Sequence, residues 1–263
     1  MDNDANFKEN DRYVYFHKNI IDGVEIKQCK GNPRDFKAHV HAELSIGYII
    51  AGATELYLSD RSIPLGSGEG VLIPPLFSHR CSPHDIHKWE YIMMYIHPDL
   101  YQDIVFFPQC RKLEGSAVHR LIGYATRLLA EQNPDVLETT ALELLLEFGE
   151  NTMPDATDTG AIKQVRDYIA GHVYDPITLE KLEQLSGLSK FTLIRNFKKA
   201  YVTTPASFHL QCRVAEAKQR LYAGSDVLTL CDELHFYDQA HFIREFRKMY
   251  GMTPSAYLKQ LHA

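Results

Sequence analysis

Three histidines and one glutamate are the residues of this chain best suited to binding chemistry. His39, His41 and Glu43 occupy alternate positions of the sequence HVHAE, and His79 follows in PPLFSHRC. Alternate side chains of a β-strand point to the same face, so the first three are predicted to lie together. Imidazole and carboxylate groups bind zinc, nickel, iron and manganese. A metal site is therefore one chemistry that these residue types allow.

The same four residues allow a second interpretation that requires no metal. His39, His41, Glu43 and His79 would line a pocket for a small-molecule effector, with His79 closing a turn. A short motif is a hypothesis until its structural context is known, so both interpretations stay open.

The elements that carry these residues are predicted to be β-strands. Between Tyr13 and His97, short runs rich in Val, Ile, Tyr and Leu alternate with turn-forming residues; the runs are VEIKQC, ELSIGYII, TELYLSD, GVLIPP and KWEYIMMYIH. Regularly spaced short strands are typical of an antiparallel sandwich or barrel. A small barrel can hold one ligand in its interior.

The periodicity becomes helical after this strand-rich region. Between Ser116 and Glu150, apolar residues recur at i, i+3, i+4 and i+7 in two segments, separated by Asn133-Pro134-Asp135. This spacing predicts two amphipathic helices. The polar segment 151–160 that follows is predicted to be a linker between domains.

The remaining residues contain an internal repeat. Residues 242–257, FIREFRKMYGMTPSAY, repeat the pattern of residues 193–208, LIRNFKKAYVTTPASF. Each copy follows a short helical segment and a turn, which is the signature of a helix-turn-helix. Residues 205–223 are predicted to form a linker helix about 28 Å long at 1.5 Å per residue. Such a helix would place the two recognition helices roughly one DNA turn apart.

Charge and cysteine usage limit the possible partners and compartment. The net charge is −6, but basic residues outnumber acidic ones after residue 157, a hint of nucleic-acid binding in that part. The five cysteines are scattered, which argues against a disulfide framework or zinc finger and predicts a reducing cytoplasmic location. No apolar run approaches the ~18 residues of a membrane span.

Motifs in both halves resemble the AraC/XylS family of transcriptional regulators. The C-terminal repeat resembles the family's DNA-binding domain, through GLS and LIRNFK in the first copy and QAHFIREFRKMYGMTPSAY in the second. Residues from about 35 to 100 resemble its cupin-like sensor domain, through His39, His41, SIGYIIAG, GSGEG and IPPLFSH. Metal-dependent cupins bind their ion through two histidines, a glutamate and a later histidine, so the resemblance implies His39, His41, Glu43 and His79 as ligands of a divalent transition metal. Two residues depart from the pattern. Glu43 follows His41 more closely than the cupin glutamate does, and His235 stands where the family usually has a glycine with positive φ.

The resemblance implies an α+β multidomain fold. Residues 1–112 would form a cupin-like antiparallel β-barrel that binds the effector, and residues 113–157 two amphipathic helices and a linker. Residues 158–263 would form an all-α domain of two helix-turn-helix motifs joined by a linker helix. The two amphipathic helices would either cover the barrel or supply a dimerisation face, which is the role that the resemblance implies.

The second helix of each helix-turn-helix enters the major groove of DNA. Its outward positions are therefore the predicted DNA contacts: Lys190, Phe191, Ile194 and Arg195 in the first copy, and Gln239, Ala240, His241, Ile243 and Arg244 in the second. Arg195 and Arg244 suit guanine and Gln239 suits adenine. The two arginines would otherwise form surface salt bridges with Glu183 or Glu245.

These features together predict a cytoplasmic, sequence-specific transcriptional regulator that is not an enzyme. The expected partners are promoter DNA, a small-molecule effector, a second copy of the chain and, for an activator, RNA polymerase; no membrane partner is expected. Two alternatives remain at this level. One is a cupin metalloenzyme with a DNA-binding tail, and the other is a constitutive DNA binder with an inert barrel.

Overall fold

The computed structural model describes residues 14–31, 38–150 and 160–261, which form a strand-rich part followed by a helical part. The strands are β1 (Val14–Ile21), β2 (Val24–Lys30), β3 (Leu44–Ala51), β4 (Ala53–Tyr57), β5 (Ser62–Gly66), β6 (Gly70–Ile73), β7 (Arg80–Pro83), β8 (Glu90–Ile96) and β9 (Arg111–Leu113). The helices are α1 (Ser116–Ala130), α2 (Pro134–Phe148), α3 (Ala161–Gly171), α4 (Leu179–Ser186), α5 (Lys190–Tyr201), α6 (Pro205–Tyr222), α7 (Val227–Glu233), α8 (Gln239–Tyr250) and α9 (Pro254–Leu261). The predicted linker 151–160 lies almost entirely outside the described residues.

The strands form two antiparallel sheets that enclose a common interior. The larger sheet has the order β1-β2-β8-β3-β6-β9, and the smaller has the order β5-β4-β7. Side chains alternate between the faces of the larger sheet. Ile26 and Ile46 belong to the core beneath α1 and α2, whereas Cys29 and Ile49 face the interior between the sheets. The expected fold class is confirmed, and α1 and α2 cover the barrel.

The helical part contains the two predicted helix-turn-helix motifs, formed by α4 with α5 and by α7 with α8. The side chains of Thr178, Ser189 and Asp226 cap α4, α5 and α7, because each accepts a hydrogen bond from the first turn of its helix. Helix α6 joins the motifs. Among the described helices, none is both long and apolar enough to span a membrane.

Left-handed backbone occurs at matching positions of the two motifs. Gly187 ends α4 with φ +68°, and His235 occupies the equivalent turn of the second motif with φ +53°. The positive φ expected for His235 is therefore confirmed. At the ends of the recognition helices, Val202 has φ +58° and Gly251 has φ +84°. The first copy thus places a β-branched residue where the second has glycine, a conformation that is costly for L-residues.

The helical part packs directly on the barrel. Lys218 of α6 forms ion pairs with Glu25 of β2 and Glu43, and the Tyr257 hydroxyl of α9 donates a hydrogen bond to Glu25. At the far end of α6, the Gln211 amide donates to the carbonyl oxygen of Ala38. The linker helix therefore also contacts the barrel directly.

Candidate functional site

The segment HVHAE is not the β-strand that its alternation predicts. His39 and His79 form an isolated β-bridge, in which each backbone N–H donates to the carbonyl of the other at 2.9 and 3.0 Å. Residues 40–43 pair with no strand in the part of the chain that the structure describes, although the N–H of Leu76 donates to the carbonyl of His41. Pro74 and Pro75 have no N–H to donate, so the β6 ladder cannot continue toward the histidines.

The three histidines nevertheless lie together. Ligand nitrogens of His39, His41 and His79 are all within 4.8 Å of one another. The ring centroid of His39 lies 4.9 Å from that of His41 and 4.5 Å from that of His79. His41 and His79 are buried, and His39 is half-buried. The sequence prediction that these three residues share a site is consistent with this geometry.

Glu43 does not join this group, which corrects its assignment as a ligand or pocket residue. Its carboxylate lies 2.7 Å from the ammonium nitrogen of Lys218 and accepts a second hydrogen bond from Gln219. Residues 42 and 43 form a bend rather than a strand, so the alternation of side-chain direction expected of a strand does not continue from His41 to Glu43. The cluster therefore contains three histidines and no carboxylate among the described residues.

Burial favours the neutral form of these imidazoles. Desolvation lowers the pKa of His79 from 6.5 to about 4, despite a backbone hydrogen bond that acts in the opposite direction. Desolvation also holds the pKa of His41 well below its usual value, with smaller contributions from His39, His79 and two lysines. Nδ1 of His79 is 2.9 Å from the carbonyl oxygen of Phe77. A carbonyl only accepts, so Nδ1 carries the proton and Nε2 keeps a lone pair.

The histidines line a small cavity between the two sheets. Its volume is about 50 Å³, and its walls also include Lys27, Ser45, Thr54, Cys81, Trp89 and Tyr95. Nδ1 of His41 and the hydroxyl oxygens of Ser45 and Thr54 are buried without a hydrogen-bond partner among the described residues. Buried polar groups normally have hydrogen-bond partners, so we expect a ligand or water in this cavity to bond these three atoms. It has room for an ion or a small polar solute with a few waters.

One wall of the cavity belongs to the second helix-turn-helix. Met249 of α8 lines it beside the histidines, and the ring centroid of Tyr250 lies 6.2 Å from that of His41. Both residues come from the last turn of the recognition helix α8. Sequence analysis placed α8 in a separate domain and did not predict this contact.

The predicted DNA contacts form an exposed surface on α5 and α8. Arg195, Gln239, Ala240 and Arg244 are exposed, as is Phe191, whose side chain is 87% accessible. Ile243 is at the margin of exposure, and His241 is half-buried. Two first-copy residues are less available than predicted. Ile194 packs against the core of the first motif, and the Lys190 ammonium pairs with Glu180.

The salt-bridge alternative is found for Arg244, which pairs with Glu245, whereas Glu183 is engaged elsewhere and does not support it for Arg195. The Arg244 guanidinium is 3.7 Å from Glu245 and remains 60% exposed. Glu183, the proposed partner of Arg195, instead accepts a hydrogen bond from the backbone N–H of Lys190. Both guanidinium groups are thus presented to solvent, where they can bind base edges.

Tyr237 is a further candidate that sequence analysis did not select. It precedes the α8 cap residue Asp238, and its side chain is 91% exposed. A large exposed aromatic beside a recognition helix matches Phe191 at the start of α5. An aromatic residue in the turn before a predicted recognition helix is the sequence feature that could have identified Tyr237.

Comparison with known proteins identifies a domain family for each part of the chain. Residues 30–146 match the family model of an AraC-like ligand binding domain, and residues 182–260 match the model of a helix-turn-helix domain. The HTH-type transcriptional regulator YbfI of Bacillus subtilis (strain 168) is 26% identical over 238 residues, covering 83% of this chain and 85% of that protein. The MmsAB operon regulatory protein of Pseudomonas aeruginosa is 23% identical over 211 residues, covering 76% of this chain and 69% of that protein.

A solved structure shares the fold over nearly the whole chain. Wild-type ToxT from Vibrio cholerae strain SCE256, determined with a bound unsaturated fatty acid, superposes with a TM-score of 0.57 at 11% identity. The alignment covers 97% of this chain and 98% of that chain. With both of its parts matched by family models, the chain belongs to the AraC family of transcriptional regulators, with an AraC-like ligand-binding domain followed by a helix-turn-helix DNA-binding domain.

Proposed function

We propose that this regulator binds promoter DNA through α5 and α8, and that a small molecule or ion in the histidine cavity controls this binding. The observation that carries the proposal is the position of Met249, which lies on the recognition helix α8 and also lines the cavity. A ligand in the cavity therefore contacts the DNA-binding part directly. It can bias the equilibrium between two arrangements only by binding them with different affinity.

The proposed DNA contacts are Phe191, Arg195, Gln239, Ala240, Ile243 and Arg244, with Tyr237 added and with Lys190, Ile194 and His241 in supporting positions. The arginines suit guanine, Gln239 suits adenine, and the apolar side chains suit thymine methyl groups. Helix α6 has 18 residues, a length that supports engagement of two successive major grooves by one chain.

The effector pocket is proposed to consist of His39, His41 and His79 with Ser45 and Thr54. The bound fatty acid in ToxT supports a ligand-binding role for a chain of this fold. The cavity here is small, so we expect a compact polar ligand rather than a long acyl chain. We further infer a cytoplasmic homodimer that contacts RNA polymerase where it activates. Exposed Val136 and Leu146 on α2 support a dimer contact outside the barrel core.

Selection of binding sites from random duplex DNA, followed by gel shift, tests the DNA-binding half of the proposal. We expect one preferred site that spans two adjacent major grooves. A promoter reporter that carries this site then tests control by the cavity. His41→Ala and His79→Ala should abolish the response to growth conditions that alter expression, whereas His87→Ala, in an exposed loop, should not. An unchanged response in both cavity variants would refute the effector assignment.

A further inference from the structure

The segment that carries two of the cavity histidines also holds the two parts of the chain together. Val40 lies between His39 and His41, is completely buried, and belongs to the core cluster of the first helix-turn-helix. Ala42 packs against the core of the second. Histidine side chains point into the cavity from one side of the segment, while Val40 and Ala42 enter the two DNA-binding motifs from the other.

The segment 76–79 repeats this arrangement around the third histidine. Leu76 packs against the same first-motif core as Val40, and its N–H is 2.7 Å from the carbonyl oxygen of His41. Leu76 has φ +57°, a conformation rarely adopted by a branched L-residue. Strained backbone of this kind persists only where the surrounding structure enforces it, and it is concentrated at functional sites.

We propose that His39, His41 and His79 bind one divalent transition metal ion, and that this ion fixes the segments that dock the DNA-binding part. The regulatory half of this proposal rests on the proposed function above. The site differs from a two-histidine, one-glutamate arrangement, because Glu43 is engaged by Lys218. Three protein ligands leave a further coordination position open.

The ligand geometry supports a metal rather than a hydrogen-bonded histidine cluster. Zinc binds imidazole nitrogens at about 2.0–2.1 Å, so nitrogens within 4.8 Å of one another need small ring rotations to share an ion. His79 already has the second contact typical of metal-binding histidines, because its Nδ1–H donates to the Phe77 carbonyl and leaves Nε2 for the ion. His41 has a buried nitrogen without a partner among the described residues.

The open position would face the cavity wall that carries Ser45 and Thr54. Both hydroxyl groups lack partners among the described residues, and Lys27 lines the same cavity. Hydroxyl and ammonium donors favour a ligand with oxygen acceptors. Water or a small carboxylate is therefore the class of molecule that would complete the coordination of the ion.

Titration of the full chain with cobalt(II) after removal of metal by a chelator tests the site. We expect one equivalent to bind, with the visible absorption of a four-coordinate ion, and zinc to displace it. His41→Ala and His79→Ala should each lower the affinity at least tenfold, a range seen even for outer-shell changes. His39→Ala provides a third, less buried variant in case one of these fails to fold.

Two matched variants separate this site from other arrangements. His87→Ala removes an exposed loop histidine, and Glu43→Gln removes a carboxylate that a cupin-type site would require. His87→Ala should bind cobalt like the unaltered chain, and Glu43→Gln should lose much less affinity than His41→Ala, because its carboxylate contacts Lys218 rather than the ion. Absence of stoichiometric binding by the unaltered chain would overturn the proposal. Equal losses in Glu43→Gln and His41→Ala would also overturn it.

A substitution at a residue that cannot bind the ion tests whether metal binding is coupled to the contact between the barrel and the DNA-binding part. Val40→Ser disturbs the contact with the first motif, and linkage then requires metal affinity to fall, with typical couplings of about 5- to 150-fold. Leu144→Ala, which truncates a buried residue of α2 in a different core cluster, is the control and should leave metal affinity unchanged. Equal effects of the two variants would overturn the coupling. DNA binding measured in chelator alone reports on the proposed function independently.

Discussion

The ammonium nitrogen of Lys218 lies 2.7 Å from a carboxylate oxygen of Glu43 and joins the linker helix to the barrel. A second carboxylate, from Glu25, is 3.0 Å away, and the Lys218 side chain is 2% exposed. The rings of Tyr95, Tyr250 and Tyr257 surround the ammonium group at 5.4–5.6 Å. Burial lowers the pKa of Lys218, but attraction to Glu25, Glu43 and the tyrosines outweighs it and raises this pKa well above its usual value.

Lys218→Met should destabilise the docked arrangement strongly, because it removes the buried cation that Glu25 and Glu43 share. Breaking a buried ion pair by removing one partner costs about 3–5 kcal/mol. Glu43→Gln should cost less, since Glu25 still neutralises Lys218. Urea unfolding followed by circular dichroism measures both. Lys199→Met, at an exposed position of α5, is the control, and a Lys218→Met midpoint equal to that of this control would contradict the prediction.

Arg244→Ala should weaken binding to the selected DNA site by about 1–3 kcal/mol and relax base preference at one position. Arg195→Ala on α5 should weaken binding by a similar amount and relax base preference at a position about one helical turn of DNA from the first. Lys248→Ala should instead weaken all sequences similarly and reduce the salt dependence, as expected of a phosphate contact. Gel shifts at several salt concentrations distinguish these outcomes, with Arg127→Ala on α1 as the control. Unchanged specific affinity in Arg244→Ala would show that α8 does not read bases there.

Val202→Gly should stabilise the first motif by about 1 kcal/mol. A strained left-handed residue costs of order 1–3 kcal/mol, whereas glycine adds flexibility to the unfolded chain. The equivalent position of the second motif already has Gly251. Lys199→Gly, inside the same helix, should lower stability by roughly 0.5–1 kcal/mol. A loss of stability in Val202→Gly like that in the control would mean that side-chain packing at Val202 outweighs its backbone strain.

Local signals in the sequence were sufficient for most of the fold. The two helix-turn-helix motifs lie where the internal repeat predicted them, and the positive φ expected at His235 is present. These features depend on neighbouring residues, which a sequence records directly. The alternation in HVHAE correctly grouped His39 and His41, but it failed at Glu43, because a contact with Lys218 from the other part of the chain decides its direction.

The contact between the two parts could not be predicted for the same physical reason. Sequence analysis predicted no contact between the barrel and the DNA-binding part, yet the two meet through Val40, Ala42 and Lys218. Long-range packing of this kind depends on the complementarity of two separately folded surfaces. A lysine in an amphipathic helix carries no local sign that it will be buried.

The last prediction concerns acid sensitivity of the barrel. Desolvation lowers the pKa of His79 from 6.5 to about 4 in the folded chain. Between these values the unfolded chain binds more protons than the folded one, so stability rises with pH. The stabilisation is complete above pH ~6.5 and is lost as pH falls toward ~4, by up to about 3 kcal/mol for this residue. His41 should add to the effect in the same direction, because its pKa is also lowered.

The positively charged and titratable groups around His41 oppose its protonation and so lower its pKa further. Lys27 and Lys218 contribute positive charge at His41, and His39 and His79 act in the same direction. Urea unfolding in the presence of a chelator, from pH 4 to 7.5, measures the dependence without competition from metal. His79→Gln should flatten the slope below pH 6.5, because glutamine does not titrate, whereas His87→Ala should leave it intact. An equally steep slope in His79→Gln would show that other groups dominate the acid response.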